Sequence, residues 1–384
     1  MKKDKSPVII YGGSFDPPHK GHLALAAAAL RQFRPSVIYF VPGFKTPFKD
    51  LYPVPFRDRS AMLRAALAEA GLSGRKEIKI SSFEAGLKRV VYTWETVAHF
   101  RRLHPGAPLF FLMGSDCLAG FRNWRRSGWI LKKAGLLAGL RPGYSLKAAP
   151  GVPFIALAGR FPRAASSAIR AELFLGEKPA QVGRGALEQA GKRSLYLSRE
   201  RALLKGLVTP ARFSHSVETA RLALLLAPGL GLPPQQAALA ALLHDCARDL
   251  PLSSMARLAR GPREALLGET AVKAPVLLHA WAGAALARAR FGVTDPGVLE
   301  AVALHATGAP GMGALARLVY LCDLACFGRG FPEAGEVRRL AFKDFSAAFR
   351  AANYVKLVYA FSGDSWVHPL SVSLWNSLQE TKRG

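Results

Sequence analysis

The spacing of apolar residues changes once along the chain, near residue 198, and that change limits the fold more than any other feature. Before it, apolar runs of strand length (8–11, 36–41, 77–81, 109–113, 135–140, 154–157) alternate with segments of helical period (23–32, 56–70, 93–103, 127–133). Such alternation predicts a Rossmann-like parallel α/β sheet, with ligands at the carboxyl ends of its strands. Beyond it the helical period persists, predicting helices over 199–206, 212–226, 234–248, 253–259, 275–291, 296–305, 314–327, 342–357 and 370–381. That pattern is an all-α bundle. The chain of 384 residues is too long for one ordinary core and divides into domains over 1–197 and 198–384. A Gly-, Pro- and Gln-rich stretch over 176–193 closes the first with a short helix.

An apolar content of 50% excludes a largely disordered chain. No apolar run reaches the roughly eighteen residues of a membrane span, and Met1 to Lys5 leads into a strand rather than a signal-peptide core, so a cytoplasmic protein is expected. Cys117, Cys246, Cys322 and Cys326 lack paired metal spacing and read as buried small hydrophobes. The net charge of +27 draws polyanions. Its basic residues are scattered, which suits nucleotide phosphates and solvated surface better than nucleic acid.

The stretch Tyr11-Gly12-Gly13-Ser14-Phe15-Asp16-Pro17-Pro18-His19-Lys20-Gly21-His22 reads as a strand end, a glycine turn and a helix start. The two glycines are expected to turn the backbone sharply and admit a ligand, and the helix N-terminus offers unpaired N–H groups to phosphate. His19 and His22, three apart around a flexible Gly21, present two imidazoles near one phosphate. Polar residues gather after the later strands, at 42–49, 114–116 and 141–143.

With Thr46-Pro47-Phe48-Lys49, Tyr92-Thr93-Trp94-Glu95-Thr96, Gly114-Ser115-Asp116, Trp124 and Ala165-Ser166-Ser167-Ala168-Ile169-Arg170, that stretch resembles the bacterial nicotinate-mononucleotide adenylyltransferases of the HxGH nucleotidyltransferase superfamily. The resemblance covers roughly 6–197 and implies in-line attack of nicotinate mononucleotide on the α-phosphorus of Mg2+-bound ATP. It implies that His19, His22, Lys49 and Arg170 act on the phosphates, Ser167 holding pyrophosphate with Arg170. Gly12, Gly13, Ser14, Phe15, Asp16 and Gly114 would shape the nucleotide site. Asp116 would bind a ribose hydroxyl or hold the magnesium-bound nucleotide, Thr93 would read the nicotinate carboxylate, and Trp124 would stack on the pyridine. At the start of its helix Thr93 also reads as an N-cap. Ala165 departs from the family, which usually carries a hydroxyl residue there. Other transferases share the HxGH signature and remain the alternative. The aminoacyl-tRNA synthetases are disfavoured, because no Lys-Met-Ser-Lys-Ser string occurs.

In the second half, His215, His244-Asp245, His279, His305 and Asp323 lie on apolar helices or at their ends. Burying so many ionisable groups is costly unless they pair or bind a cation, and imidazole with carboxylate suits zinc, iron or manganese. The order His, His-Asp, Asp is that of the HD phosphohydrolases. With Tyr320-Leu321-Cys322-Asp323, Gly328-Arg329-Gly330-Phe331 and Val367-His368-Pro369, it resembles the branch that splits diadenosine tetraphosphate symmetrically into two ADP. That resemblance implies a first metal, iron or another first-row divalent ion, on His215, His244, Asp245 and Asp323. His279 and His305 would serve a second metal or its waters and phosphates, and Arg329 and Arg212 would take phosphate. Cys322 replaces the family's usual alanine, a thiol beside the metal or a packing residue.

A bifunctional enzyme results, acting on ATP, nicotinate mononucleotide and diadenosine tetraphosphate, with no membrane or nucleic-acid partner and with a homo-oligomer permitted. The alternatives are a different phosphoester for the HD half, a regulatory HD module, or a basic nucleic-acid binder.

Overall fold

A computed structural model describes residues 6–44, 54–140, 142, 151–260 and 264–380. The chain forms two compact units, one of Met1–Leu173 with Glu177–Tyr196, the other of Leu197–Gly384 with Phe174–Gly176.

The first unit is built on six parallel strands, β1 (Val8–Gly13), β2 (Val37–Pro42), β3 (Ile78–Ile80), β4 (Leu109–Gly114), β5 (Gly135–Gly139) and β6 (Ile155–Leu157), in the order β3-β2-β1-β4-β5-β6. Its helices are α1 (Lys20–Phe33), α2 (Phe56–Glu69), α3 (Phe83–Leu87), α4 (Thr93–Leu103), α5 (Ser115–Leu118), α6 (Ser127–Lys133), α7 (Ser166–Phe174) and α8 (Arg184–Lys192). Alternate residues of β1 enter different cores: Val8 and Ile10 pack with Phe111 and Leu136, whereas Ile9 and Tyr11 pack with Leu112 and Leu137. Both faces of the sheet are therefore buried, which is why its strands read as unbroken apolar runs rather than alternating ones. β1 pairs with both β2 and β4, so the chain order reverses there, the position at which parallel α/β sheets bind ligands beyond the carboxyl ends of their strands.

The second unit is helical throughout its described residues: α9 (Ser198–Lys205), α10 (Pro210–Leu226), α11 (Pro234–Leu243), α12 (Leu252–Ala259), α13 (Glu264–Lys273), α14 (Leu278–Phe291), α15 (Pro296–Leu304), α16 (Ala314–Ala325), α17 (Pro332–Ala341), α18 (Phe345–Ser362) and α19 (Pro369–Glu380). Neither α13 nor α17 is anticipated by the apolar period. The expected helix over 234–248 stops at Leu243. The chain tightens there into i→i−3 bonds, Cys246 N to Leu243 O and Arg248 N to Asp245 O at 3.0 Å each. In a continuing α-helix the adjacent residues His244 and Asp245 would point about 100° apart. In that turn the ligand atoms His244 Nε2 and Asp245 Oδ2 nevertheless lie 3.8 Å apart. A single 3-10 turn, Pro275–Leu277, likewise replaces the first part of the helix expected over 275–291.

Candidate active sites

In the first unit His19 is buried just ahead of α1, and His22 lies in its first turn. Their rings stack, with centroids 3.6 Å apart and planes 19° from parallel, and the backbone N–H of His19 donates to His22 Nδ1 at 3.2 Å. Gly21 is helical, not a flexible hinge. Its role is space: a Cβ at Gly21 would stand 3.1 Å from His19 Nδ1, against the ring.

The glycines before the histidines also differ from expectation. The left-handed residue of the turn is Phe15 (φ 49°). Gly12 is required because a Cβ there would meet the Phe111 ring at 2.9 Å. Trp124 packs edge-on against that same ring, centroids 5.8 Å apart, so the ring that requires Gly12 in β1 also seats Trp124.

Arg59 and Tyr196 escape sequence reasoning. Arg59, 2% exposed, donates to Val54 O at 2.7 Å and also to the carbonyls of Ser14 and Gly43, joining the loops after β1 and β2. Tyr196 donates to Asp16 Oδ1 at 2.6 Å, while Arg170 donates to the Asp16 carbonyl at 2.9 Å. Burial raises the pKa of Asp16, opposed by the Tyr196 hydroxyl and by Arg170 and Arg59. Asp16 thus works within the protein, bracing the loop. No local pattern announces Arg59, which sits in the ordinary amphipathic α2, or Tyr196, which is 180 residues from its partner.

Gly114 ends β4 and precedes the short α5, whose Ser115 is buried and whose Asp116 is half-buried. Thr93 is the first residue of α4 and not its cap; Tyr92 holds that position, and its N–H donates to Glu95 Oε2 at 3.0 Å. Ser167 is exposed on α7 and Arg170 is half-buried. Lys49 and its Thr46-Pro47-Phe48 neighbours lie outside the described residues.

In the second unit the six expected ligands converge. His215 comes from α10, His244 and Asp245 from the turn after α11, His279 from α14, His305 from the end of α15 and Asp323 from α16. His215 Nε2 lies 3.0 Å from Asp323 Oδ1; His279 Nε2 and His305 Nε2 lie 3.1 and 3.4 Å from Asp245 Oδ1. Asp245 belongs to two groups of ligand atoms compact enough for a cation, one with His215 and His244, the other with His279 and His305.

Each ring's other nitrogen is held from behind. Nδ1 of His244, His279 and His305 faces the carbonyl three residues earlier (Ala241, Val276 and Val302) at 2.7, 2.5 and 2.8 Å, and His215 Nδ1 faces Cys326 Sγ at 3.4 Å. Backing of this kind is typical of metal-binding histidines. The thiol beside the centre is accordingly Cys326; Cys322 packs in the apolar core. Arg248 Nη1 also reaches His279 Nδ1, at 2.7 Å.

The chemistry of this donor set fits a metal. Fully buried His244 Nε2 has no hydrogen-bond partner, yet it faces Asp245 Oδ2 at 3.8 Å and Asp323 Oδ1 at 3.7 Å. Those separations are too long for hydrogen bonds and near the roughly 3–3.5 Å between ligands that share a first-row ion at about 2.1 Å. Burial pushes the pKa of His244 down to about 4, keeping its nitrogen lone pair available. At His215, burial is outweighed by the bonds to Asp323 and Cys326, and the pKa rises to about 9. Burial also opposes ionisation of Asp245 and Asp323. His244, His279 and His305 hold Asp245 well below the carboxylate range, and Lys356, His215 and His244 do so for Asp323. Arg329 Nη2 donates to Asp323 Oδ1 at 2.9 Å, and Arg212 Nη1 stands 3.7 Å from Asp245 Oδ2. Both guanidiniums are over a third exposed, at the solvent side.

Residues 10–172 match the cytidylyltransferase-like family, and residues 212–326 match the HD domain, which implies a divalent metal. The "Probable nicotinate-nucleotide adenylyltransferase/Ap4A hydrolase" of Mycoplasma pneumoniae is 28% identical over 316 residues, spanning 82% of this chain and 87% of its own. Its Mycoplasma genitalium namesake is 27% identical over 83% of this chain. The "Probable nicotinate-nucleotide adenylyltransferase" of Helicobacter pylori is 35% identical over 166 residues, 43% of this chain and 92% of its own. No helix among the described residues is long and apolar enough to cross a membrane.

Proposed function

Because the chain belongs to the nicotinate-nucleotide adenylyltransferase family and carries an HD domain behind that segment, we propose that it performs two reactions on adenosine phosphates. In the first, a phosphate oxygen of nicotinate mononucleotide bonds to the α-phosphorus of Mg2+-bound ATP. The bond from that phosphorus to the bridging oxygen breaks, leaving pyrophosphate. In the second, water adds to diadenosine tetraphosphate and the central phosphoanhydride breaks, giving two ADP.

In the first unit catalysis is positioning and charge stabilisation. His19 and His22 donate to the α- and β-phosphates from a position where the first-turn N–H groups of α1 also point. Arg170, with Lys49 and Ser167, takes the charge that develops on pyrophosphate. Gly12, Gly13, Ser14, Phe15 and Gly114 shape the nucleotide bed, which Asp16 and Arg59 hold from behind. Asp116 binds ribose, Thr93 reads the nicotinate carboxylate, and Trp124 stacks on the pyridine.

In the second unit His215, His244, Asp245 and Asp323 would hold one divalent ion, iron or another first-row metal, and His279 and His305 would serve a second metal or its waters and phosphates. When bound, such ions supply Lewis-acid activation of phosphate and water. Around them Arg212, Arg248 and Arg329 bring guanidinium charge to an anionic polyphosphate. The carrying observation is His244 Nε2, buried and unbonded between two carboxylates.

Product analysis tests the assignment. His19→Ala should lower dinucleotide formation by about 10²–10³-fold, as expected for loss of one transition-state donor, and leave ADP release from diadenosine tetraphosphate intact. Asp245→Ala should do the reverse. A single variant that silences both reactions would refute two independent sites.

A further inference from the structure

We propose that Lys356 is a positioning residue of the cation centre, holding Asp323 so that one carboxylate oxygen alone faces the metal. The proposal rests on the cation reading of the second unit, though not on the identity of its substrate. Lys356 stands on α18, thirty residues beyond the matched HD segment, which ends at residue 326. Its Nζ donates to Asp323 Oδ2 at 3.1 Å and to the His305 carbonyl at 2.8 Å. The ammonium also lies 3.9 Å from the centroid of the Tyr320 ring.

The two oxygens of Asp323 are thereby divided. Oδ1 faces His215 Nε2, His244 Nε2 and Arg329 Nη2, at 3.0, 3.7 and 2.9 Å, while Oδ2 turns away to Lys356. Burying an ammonium is costly without compensation. Here a carboxylate, a carbonyl and an aromatic face provide it.

The register between the helices is defined twice. Asn353 Nδ2 donates to Tyr320 Oη at 3.1 Å, and Lys356 meets Asp323 three residues further along both α18 and α16. One side chain therefore fixes Asp323 and, through the His305 carbonyl, the helix end that carries a ligand of the other group.

The test uses the full chain with Co2+ as probe, reading dissociation constant, ions bound per chain and visible absorption, with far-UV circular dichroism for folding. Lys356→Met should weaken Co2+ binding by about 10–100-fold, the scale of groups that orient metal ligands, and alter the visible spectrum. Lys356→Arg should recover part of the affinity, whereas the surface variant Lys273→Met should match wild type. Wild-type affinity and spectrum in Lys356→Met would overturn the proposal. Should that variant not fold, Lys356→Gln, which can still bond the His305 carbonyl without the charge, decides it on the same two readings. Wild-type protein that takes up no Co2+ would remove the cation centre and this proposal together. Co2+ binding that depends on Lys356, in a protein inert to diadenosine tetraphosphate, would refute only the substrate assignment.

Discussion

Histidines are used in opposite ways by the two units. His19 and His22 lie face to face, 3.6 Å between centroids, at the start of a helix, and the nearby Asp16 carboxyl is occupied by Tyr196. His215, His244, His279 and His305 instead direct ring edges at Asp245 and Asp323. Among the described residues, every acid–imidazole group compact enough for a cation is in the second unit. The comparison teaches that the neighbours of an imidazole determine its ligand: helix N–H groups and arginine favour an anion, and ionised carboxylates favour a cation.

Asp245→Ala is the most severe way to break the contrast. It removes a ligand common to both cation groups and leaves four imidazoles with one carboxylate. Metal analysis should find the centre empty, and phosphohydrolase activity should fall by at least about 10³-fold if metal activation carries the reaction. Adenylyl transfer should stay at the wild-type rate.

Cys326→Ala tests a smaller part of the same centre. The thiol backs His215 Nδ1 at 3.4 Å, where the other three histidines have backbone carbonyls. Losing it should weaken metal affinity by about tenfold, the lower end of the range for such partners. Cys326→Ser, which restores a hydrogen-bonding group, should lie between the two in a metal titration.

In the first unit Gly21→Ala separates packing from stability. Alanine favours a helix by about 1 kcal/mol over glycine, so thermal unfolding should not occur earlier. Its methyl would nevertheless press on His19, and adenylyl transfer should slow by about tenfold, less than the hundredfold that a displacement of about 1 Å can cost. An unchanged turnover number would show that the stacked pair tolerates a shift.

Much of this contrast is legible in the chain. Strand and helix periods anticipate the parallel sheet, and the spacing of His215, His244-Asp245, His279, His305 and Asp323 marks the residues that converge. Arg59, Tyr196, Cys326 and Lys356 are not legible, for one physical reason. Each acts on a functional residue through a tertiary contact, and its local sequence looks like ordinary core or amphipathic helix. Gly12 and Gly21 are visible as glycines, but their reason is not, because the rings that need the space belong to Phe111 and His19.

The smallest effect concerns a histidine that belongs to neither set. His368 is 2% exposed, lies beside the Trp281 and Trp366 rings, accepts from Leu370 N at Nδ1 (3.1 Å) and meets Thr270 Oγ1 through Nε2 (3.1 Å). Burial lowers its pKa from 6.5 to about 4, so the folded chain keeps it neutral where the unfolded chain protonates it. The unfolded state then binds more protons, and stability is complete above about pH 6.5 and declines as the pH falls toward 4. Between pH 7 and pH 5 the expected loss is about 1–2 kcal/mol. Urea unfolding of the second unit, followed by tryptophan fluorescence at both pH values, measures it. His368→Gln cannot take up that proton, and its pH 7 to pH 5 loss should be smaller than wild type by that amount. Equal losses in the two proteins would show that the acid sensitivity of this unit arises from the metal-binding imidazoles instead.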